Sequence, residues 1–340
     1  MKVLILGGTL FLGRHLVEAL VSRGHTVTLF NRGITSPHLY PELETIRGDR
    51  ENPSDLKKLA NREWDAVIDP SGYLPRIVRM GLDQLTGQCR KYVFVSSLSV
   101  YATVQDFREG DRVARLSHPD SEDIQKDYGA LKAKCEAEVL QAYGERALIV
   151  RAGFLVGPFD RIYRTPYWLE RIAQGGTVLC PGEAQSPFQF IDVRDCADWI
   201  IKSLENSVGG VFNITGPTEP LRWGRFLEEI KVATSSSAKF VWVNDEFLKA
   251  QGISAGKIPF WLPQEHSQFM EKDISKALSQ GLTFRAVSET ISDTWRWLKR
   301  DGFSADKTTG VRIDSSWNAA KEAELLMGYA DFSVRNLPKT

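Results

Sequence analysis

Hydrophobic positions along the first 150 residues switch between two spacings. Val3–Leu6 is an unbroken aliphatic run, the mark of a strand buried on both faces. Phe11–Arg23 follows with Leu12, Leu16, Ala19 and Leu20 at helical spacing, and stops at Gly24, placed as a C′ glycine. The alternation then repeats. Thr26–Phe30, Thr45–Ile46, Ala66–Asp69, Tyr92–Ser96 and Ala147–Arg151 read as strands. Ser54–Leu59, Arg76–Leu85 and Asp127–Tyr143 read as helices between them. Strands alternating with helices predict an α/β protein with a doubly wound parallel sheet covered on both faces.

After about Gly157 the pattern changes. Eight of the nine tryptophans lie beyond residue 150, with aromatic groups such as Tyr163–Trp168 and Trp295–Trp297. Strand-like Phe188–Ile191 and Gly210–Ile214 flank a helix at Val193–Leu204, which predicts a return to the first domain. Helical spacing recurs near Arg225–Ala233, Asp273–Leu278, Val287–Lys299 and Ala319–Met327. The expected organisation is a dinucleotide-binding Rossmann domain from residues 1–157 plus 188–214. A smaller α/β substrate lobe takes 158–187 plus 215–300, with 301–340 as a C-terminal extension.

Composition narrows the classes. The chain has 340 residues, and its 43 Lys plus Arg balance 43 Asp plus Glu, so a broad basic surface for nucleic acid or an anionic membrane is not expected. Cys89, Cys135, Cys180 and Cys196 form no C-x-x-C pair, as expected of reduced thiols in a cytoplasmic protein. Five histidines without H-x-x-x-H spacing predict no protein-built metal site. No apolar run approaches the roughly 20 residues needed to cross a bilayer.

Candidate chemistry begins at Gly7-Gly8-Thr9-Leu10-Phe11-Leu12-Gly13, between the first strand and the first helix. Such a turn aims free helix N–H groups at a bound pyrophosphate, although Leu10 stands where the G-x-x-G-x-x-G pattern has its middle glycine. Asn31-Arg32-Gly33 ends the second strand, where an NAD-binding protein usually places an acidic residue. An arginine there can pair with a 2′-phosphate, so NADP is favoured over NAD. Asp49 is placed to accept a hydrogen bond from an adenine amino group, and Arg50 beside it is expected among the cofactor-binding residues. Further on, Tyr128 and Lys132 are four apart on one helix face, where the ammonium favours the phenolate of a side chain whose ordinary pKa is about 10. The same lysine can reach a nicotinamide ribose. Ser96, Ser97 and Ser99, at the end of a strand, supply the hydroxyl that this chemistry needs.

In this order the motifs resemble those of the extended short-chain dehydrogenase/reductases, the NAD(P)-dependent epimerase/dehydratase group. The resemblance covers about residues 1–300. It rests on Gly7–Gly13, Phe94–Tyr101, Tyr128 with Lys132, Arg151–Pro158, Asp192–Ala197 and Phe212–Pro217. It implies an oxidoreductase or epimerase acting on a secondary alcohol or ketone of a sugar, nucleotide-sugar or similar polar metabolite. Tyr128 would be the general acid/base, Lys132 its ribose-binding partner, Ser97 the donor to the substrate carbonyl and Ser99 an accessory hydroxyl. Hydride would pass between nicotinamide C4 and a carbinol carbon. Tyr163, Arg164, Tyr167 and Trp168 resemble a substrate lip, and members of this family often pair as a homodimer through the helices after Pro75 and Asp127.

The departures also have consequences. Gly-Gly-Thr-x-Phe-x-Gly is similar to an atypical subgroup that includes the chloroplast stem-loop-binding proteins. That subgroup supplies the rival expectation, a catalytically weak RNA-binding or regulatory protein on the same fold. Asp69-Pro70-Ser71-Gly72-Tyr73 replaces the H-x-A-A of sugar-nucleotide epimerases. Phe154 replaces an asparagine near the substrate phosphates.

Overall fold

The computed structural model describes residues 1–302 and 317–335. Of the expected C-terminal extension, 303–316 and 336–340 lie outside the described residues. Two compact units emerge: Met1–Leu155 with Phe190–Pro217 and Lys272–Phe284, and Val156–Gln189 with Thr218–Glu271 and Arg285–Thr340.

The first unit is built on a seven-stranded, all-parallel sheet. Its strands are β1 (Lys2–Leu6), β2 (Thr26–Asn31), β3 (Glu44–Arg47), β4 (Trp64–Asp69), β5 (Cys89–Ser97), β6 (Ala147–Ala152) and β7 (Gly210–Ile214). They lie in the order β7-β6-β5-β4-β1-β2-β3. The order reverses beside β1, which is the switch point where doubly wound sheets bind their ligands. Leu4 stands level with Thr28 on one side and with Val67 on the other, so the ends of β1, β2 and β4 share an edge.

The continuous apolar run in β1 has a simple cause. Val3 and Ile5 face one core with Leu16, Leu20, Trp199 and Ile200. Leu4 and Leu6 face the other, with Val78, Leu82, Tyr92 and Val139. Helices Phe11–Ser22 and Val193–Glu205 cover the first face, and Pro75–Leu85 and Ile124–Tyr143 the second.

Local signals set several boundaries. Asp123 caps the helix Ile124–Tyr143 by accepting from the N–H groups of Gln125 and Lys126, so the helix begins earlier than expected, and Asp127 bends its first turn. The segment expected as a helix over Ser54–Leu59 is a short turn, Pro53–Leu56, capped by Asn52 and continued as a 3-10 helix. Asp273–Leu278 holds only the short helix Ser275–Ser279.

The second unit packs the helices Arg164–Ala173, Trp223–Ala233 and Val287–Asp301 together beside a parallel pair of strands, Thr177–Pro181 and Lys239–Val243. Its core is aromatic. Trp168 meets Trp223 edge-on at 5.3 Å, and Phe188 lies 4.6 Å from Phe226 and 5.4 Å from Phe260. The helix Ala319–Arg335 also belongs here, where Glu322 accepts from Arg171 Nε at 2.6 Å and from the Leu179 N–H at 2.9 Å.

All four cysteines are buried free thiols whose pKa values burial pushes up. Among the described residues no group of three or more His, Cys, Asp or Glu is placed to hold a metal ion. Among the same residues no helix is long and apolar enough to cross a membrane.

Candidate active site

The glycine turn follows β1 directly. Gly7 and Gly8 take φ of +126° and +100°, a region that L side chains rarely adopt. A Cβ on Gly13 would sit 3.1 Å from the Gly8 backbone, so glycine at 13 lets the helix lie close against the turn, while a Cβ on Gly8 would meet Leu29 at 2.7 Å. Leu10 resolves the apparent defect in the motif. It caps the helix in an ordinary extended conformation, φ −122° and ψ 143°, which does not call for glycine. No side chain caps this helix start, so its first N–H groups remain available to an anion. Leu12 belongs to the core at 5% exposure, and Phe11 packs against the same core with its ring edge-on to His15. Of those two, only the backbone is placed to meet a phosphate.

Asn31 at the end of β2 is committed to the turn. Its Nδ2 donates to the Gly7 carbonyl at 3.1 Å, and its Oδ1 accepts from the Gly33 N–H and from Arg47. Arg32 is more than half exposed, with Nη1 4.0 Å from an Asp49 carboxylate oxygen. Arg50 departs from the expected cofactor role. Its guanidinium is turned inward and forks onto Asp69 at 2.8 and 2.7 Å.

The hydroxyls at the end of β5 have different environments. Ser96 is buried and its Oγ has no hydrogen-bond partner. Ser97 is half-buried and caps the 3-10 turn Leu98–Val100, its Oγ accepting from the Ser99 N–H at 3.1 Å. Ser99 is exposed. Against this turn lies the helix that carries Tyr128 and Lys132. A Cβ on Gly129 would be 2.0 Å from the Ser99 carbonyl oxygen, so glycine at 129 is what lets the helix dock. The expectations for this helix did not include Gly129, although a glycine directly after Tyr128 is a readable signal of close approach. Tyr128 is half-buried, its ring 6.4 Å from that of Tyr73.

Lys132 is 2% exposed. Its Nζ donates to the carbonyls of Gly72 and Val95, both at 2.7 Å, and lies 4.0 Å from the centroid of the Phe94 ring. An ammonium has three protons, so two are held by the backbone and one is left for a further acceptor. Burial lowers its pKa to about 8.

Residues of the other sequence motifs support the site from behind. Arg151 forks onto Glu136, one helical turn beyond Lys132, and both side chains are nearly fully buried. Tyr101 donates to Asn213 Oδ1 at 2.6 Å, and the Arg151 guanidinium lies over the Tyr101 ring. Phe154 is half-buried in the first unit, where its carbonyl accepts from the Ile191 N–H.

The residues expected at a substrate lip belong to the second unit. Trp168 is a correction: it is fully buried, its indole N–H donates to the Pro259 carbonyl at 2.9 Å, and it offers no surface to a ligand. Tyr163 sits at φ +65° and donates to Glu170, and Tyr167 packs edge-on to Trp168 and Trp317. Arg164 is half-buried near Asp160, whose carboxyl burial raises to about 6. The same unit holds a pocket of about 280 Å³ walled by Phe188, Trp223 and Phe260.

A parallel sheet with a glycine turn at its switch point, and a Tyr–Lys helix beside the end of β5, define a doubly wound dinucleotide-binding α/β protein. Residues 3–79 and 76–215 match the model of the NAD dependent epimerase/dehydratase family. The chain belongs to that family. It is 28% identical over 232 residues to the chloroplast stem-loop binding protein of 41 kDa b of Arabidopsis thaliana, covering 63% of this chain and 58% of that protein. It thus spans little more than half of that relative's length. It is 24% identical over 330 residues to the 2′-dehydrokanamycin reductase of Streptomyces kanamyceticus, covering 92% and 89% of the two chains. Among solved structures, the UDP-glucuronic acid 4-epimerase of Bacillus cereus, in complex with NAD, has a TM-score of 0.64 at 19% identity, with coverage of 88% and 99%. At that identity the likeness speaks for the fold.

Proposed function

We propose that this protein is an NAD(P)-dependent oxidoreductase or epimerase acting at a secondary alcohol or ketone of a polar, sugar-like metabolite. The observation that carries this reading is the buried Lys132 ammonium, four residues from Tyr128 on a helix docked against the Ser97–Ser99 turn. The glycine turn fits a dinucleotide: the cradle at Gly7, Gly8 and Gly13 is kept open by residues without a Cβ, and the helix start behind it has no side-chain cap. A bound nicotinamide would supply or accept the hydride. Gly7–Gly13 backbone groups would hold its pyrophosphate, Asp49 its adenine, and the third Lys132 proton its ribose.

The chain's own groups then handle the proton. Lys132 places positive charge where it favours the Tyr128 phenolate, so Tyr128 Oη can take a proton from a carbinol or return one to a ketone. Ser97 Oγ, already accepting from the Ser99 N–H, has its own proton to donate to the substrate oxygen. Arg32, exposed beside the turn, supports NADP as the preferred form.

Two measurements test this. NADPH and NADH fluorescence titrations should show binding, with Arg32→Ala weakening NADPH far more than NADH. Tyr128→Phe should lower turnover on an identified ketone or alcohol by about 100-fold or more. Binding of neither cofactor below millimolar concentration, or activity that survives the loss of the phenol, would sink the reading.

The name of the Arabidopsis relative keeps a second reading in view, an RNA-binding or regulatory protein on this fold. Zero net charge and the intact Ser97, Tyr128 and Lys132 set favour the enzyme. Stem-loop RNA retained at physiological salt, together with absence of dinucleotide binding, would favour the alternative. A homodimer through the helices Pro75–Leu85 and Ile124–Tyr143 and a cytoplasmic location complete the proposal.

A further inference from the structure

Asp69 ends β4 with no exposure to solvent, and its carboxylate is fully engaged. Oδ1 accepts from Arg50 Nη1 at 2.8 Å and from the Ser71 N–H at 3.1 Å. Oδ2 accepts from Arg50 Nη2 at 2.7 Å and from the Tyr92 hydroxyl at 3.1 Å. Arg50 Nη1 also donates to Ser71 Oγ, and Ser71 Oγ donates to the Leu6 carbonyl, the last residue of β1 before the glycine turn. Three strand ends are therefore tied by one ion pair: β1 through Ser71, β3 through the Gly48–Arg50 segment that follows it, and β4 through Asp69 itself. Gly72, the residue after Ser71, presents the carbonyl that accepts from Lys132 Nζ at 2.7 Å.

Nothing in fold stability requires such a pair at this place. A buried ion pair is often no more stabilising than apolar residues of the same shape, because desolvation offsets the attraction. What the fork does offer is geometry: a planar guanidinium and a carboxylate meet in one orientation. We propose that Arg50 and Asp69 are positioning residues that lock the Asp69–Gly72 turn so that the Gly72 carbonyl holds Lys132 in place beside Tyr128. Asp69 reaches Lys132 by its charge and through the turn, while its carboxylate oxygens accept from Arg50, Ser71 and Tyr92. Burial acts to raise the Asp69 carboxyl, but Arg50, with help from the Lys132 charge and the Ser71 N–H, brings it below its ordinary value and keeps it ionised. This inference rests on the cofactor reading of Lys132, and it gives Asp69, Ser71 and Gly72 of this turn a common task.

The experiment uses the full chain with 15N-labelled lysine, the Lys132 Nζ resonance being identified by its loss in Lys132→Met. Asp69→Asn and Arg50→Lys each break the fork, and both should move the Nζ resonance and weaken NADPH binding by about tenfold or more. The double variant Arg50→Met/Asp69→Leu guards against simple unfolding, since it replaces the pair with apolar groups of similar length. It should fold, keep the urea midpoint near that of the wild type, and still show the displaced Nζ resonance and weakened NADPH binding. A folded double variant with wild-type Lys132 resonance, titration midpoint and NADPH affinity would overturn the proposal. If the wild type binds no dinucleotide, the cofactor reading falls on that result, while the Nζ resonance still decides whether the pair positions Lys132.

Discussion

The two units bury different things. In the first, charged side chains are taken into the interior and paired or hydrogen-bonded there: Asp69 with Arg50, Glu136 with Arg151, Lys132 with two carbonyls. In the second, the centre is a pack of rings, Trp168, Phe188, Trp223, Phe226 and Phe260, held by shape and by indole N–H bonds to carbonyls. Aromatic packing contributes stability with little chemistry. Buried ion pairs contribute little net stability and fix atoms in place. The contrast predicts that damage to the second unit registers chiefly in folding, and damage to the first chiefly in function.

The largest effect on stability is expected at Trp168→Ala, which removes a fully buried ring and should cost about 3–5 kcal/mol in urea denaturation. A loss below about 1 kcal/mol would show that the ring pack is not the core of its unit. Gly129→Ala comes next. The added methyl collides with the Ser99 carbonyl and should cost about 1–3 kcal/mol, while turnover falls further than that stability loss explains. Normal kinetics in this variant would separate helix docking from catalysis.

The sequence and the structure meet unevenly over these features. Sheet strands were legible because each is a short apolar run between helical spacings, and β1, β2, β4, β5 and β6 fall where those runs predict. The Tyr128 and Lys132 pair was legible because helical spacing alone puts them on one face. The Arg50–Asp69 pair was not, since nothing local relates two residues nineteen positions apart on separate strand ends. Trp168 misled for a related reason: an aromatic next to Tyr163 and Arg164 looks like a lip until helix phase turns it inward. The strands Thr177–Pro181 and Lys239–Val243 escaped notice because each is short and pairs with the other far along the chain.

A milder effect concerns pH. Lys132 is held near pKa 8, so turnover should fall on the alkaline side as the ammonium loses its proton, with a midpoint near pH 8. The linkage to stability has the opposite sense. Between about pH 8 and the unfolded lysine value of about 10.4, the unfolded chain binds more protons, so the penalty for burying this ammonium shrinks as pH rises. The stability difference between wild type and Lys132→Met should therefore shift in favour of the wild type across that window. A flat difference would place the alkaline limb elsewhere. The smallest effect is expected at Arg79→Ala, where the pair of the exposed Arg79 with the half-buried Glu138 is lost at the surface and the urea midpoint should shift only slightly.

Leu10 carries a lesson for how glycine motifs are read. A motif is usually written as letters, yet what the turn specifies is a series of backbone angles: left-handed at positions 7 and 8, extended at 10. Positions 7 and 8, with φ of +126° and +100°, and the crowded residue 13 call for glycine, whereas position 11 carries a phenylalanine at a φ of +26°. A pattern search that insists on glycine in the middle would pass over this chain. One that asks for compatible dihedral angles would find it, and would treat residue 10 as a site where side chains can vary among proteins that keep the same cradle.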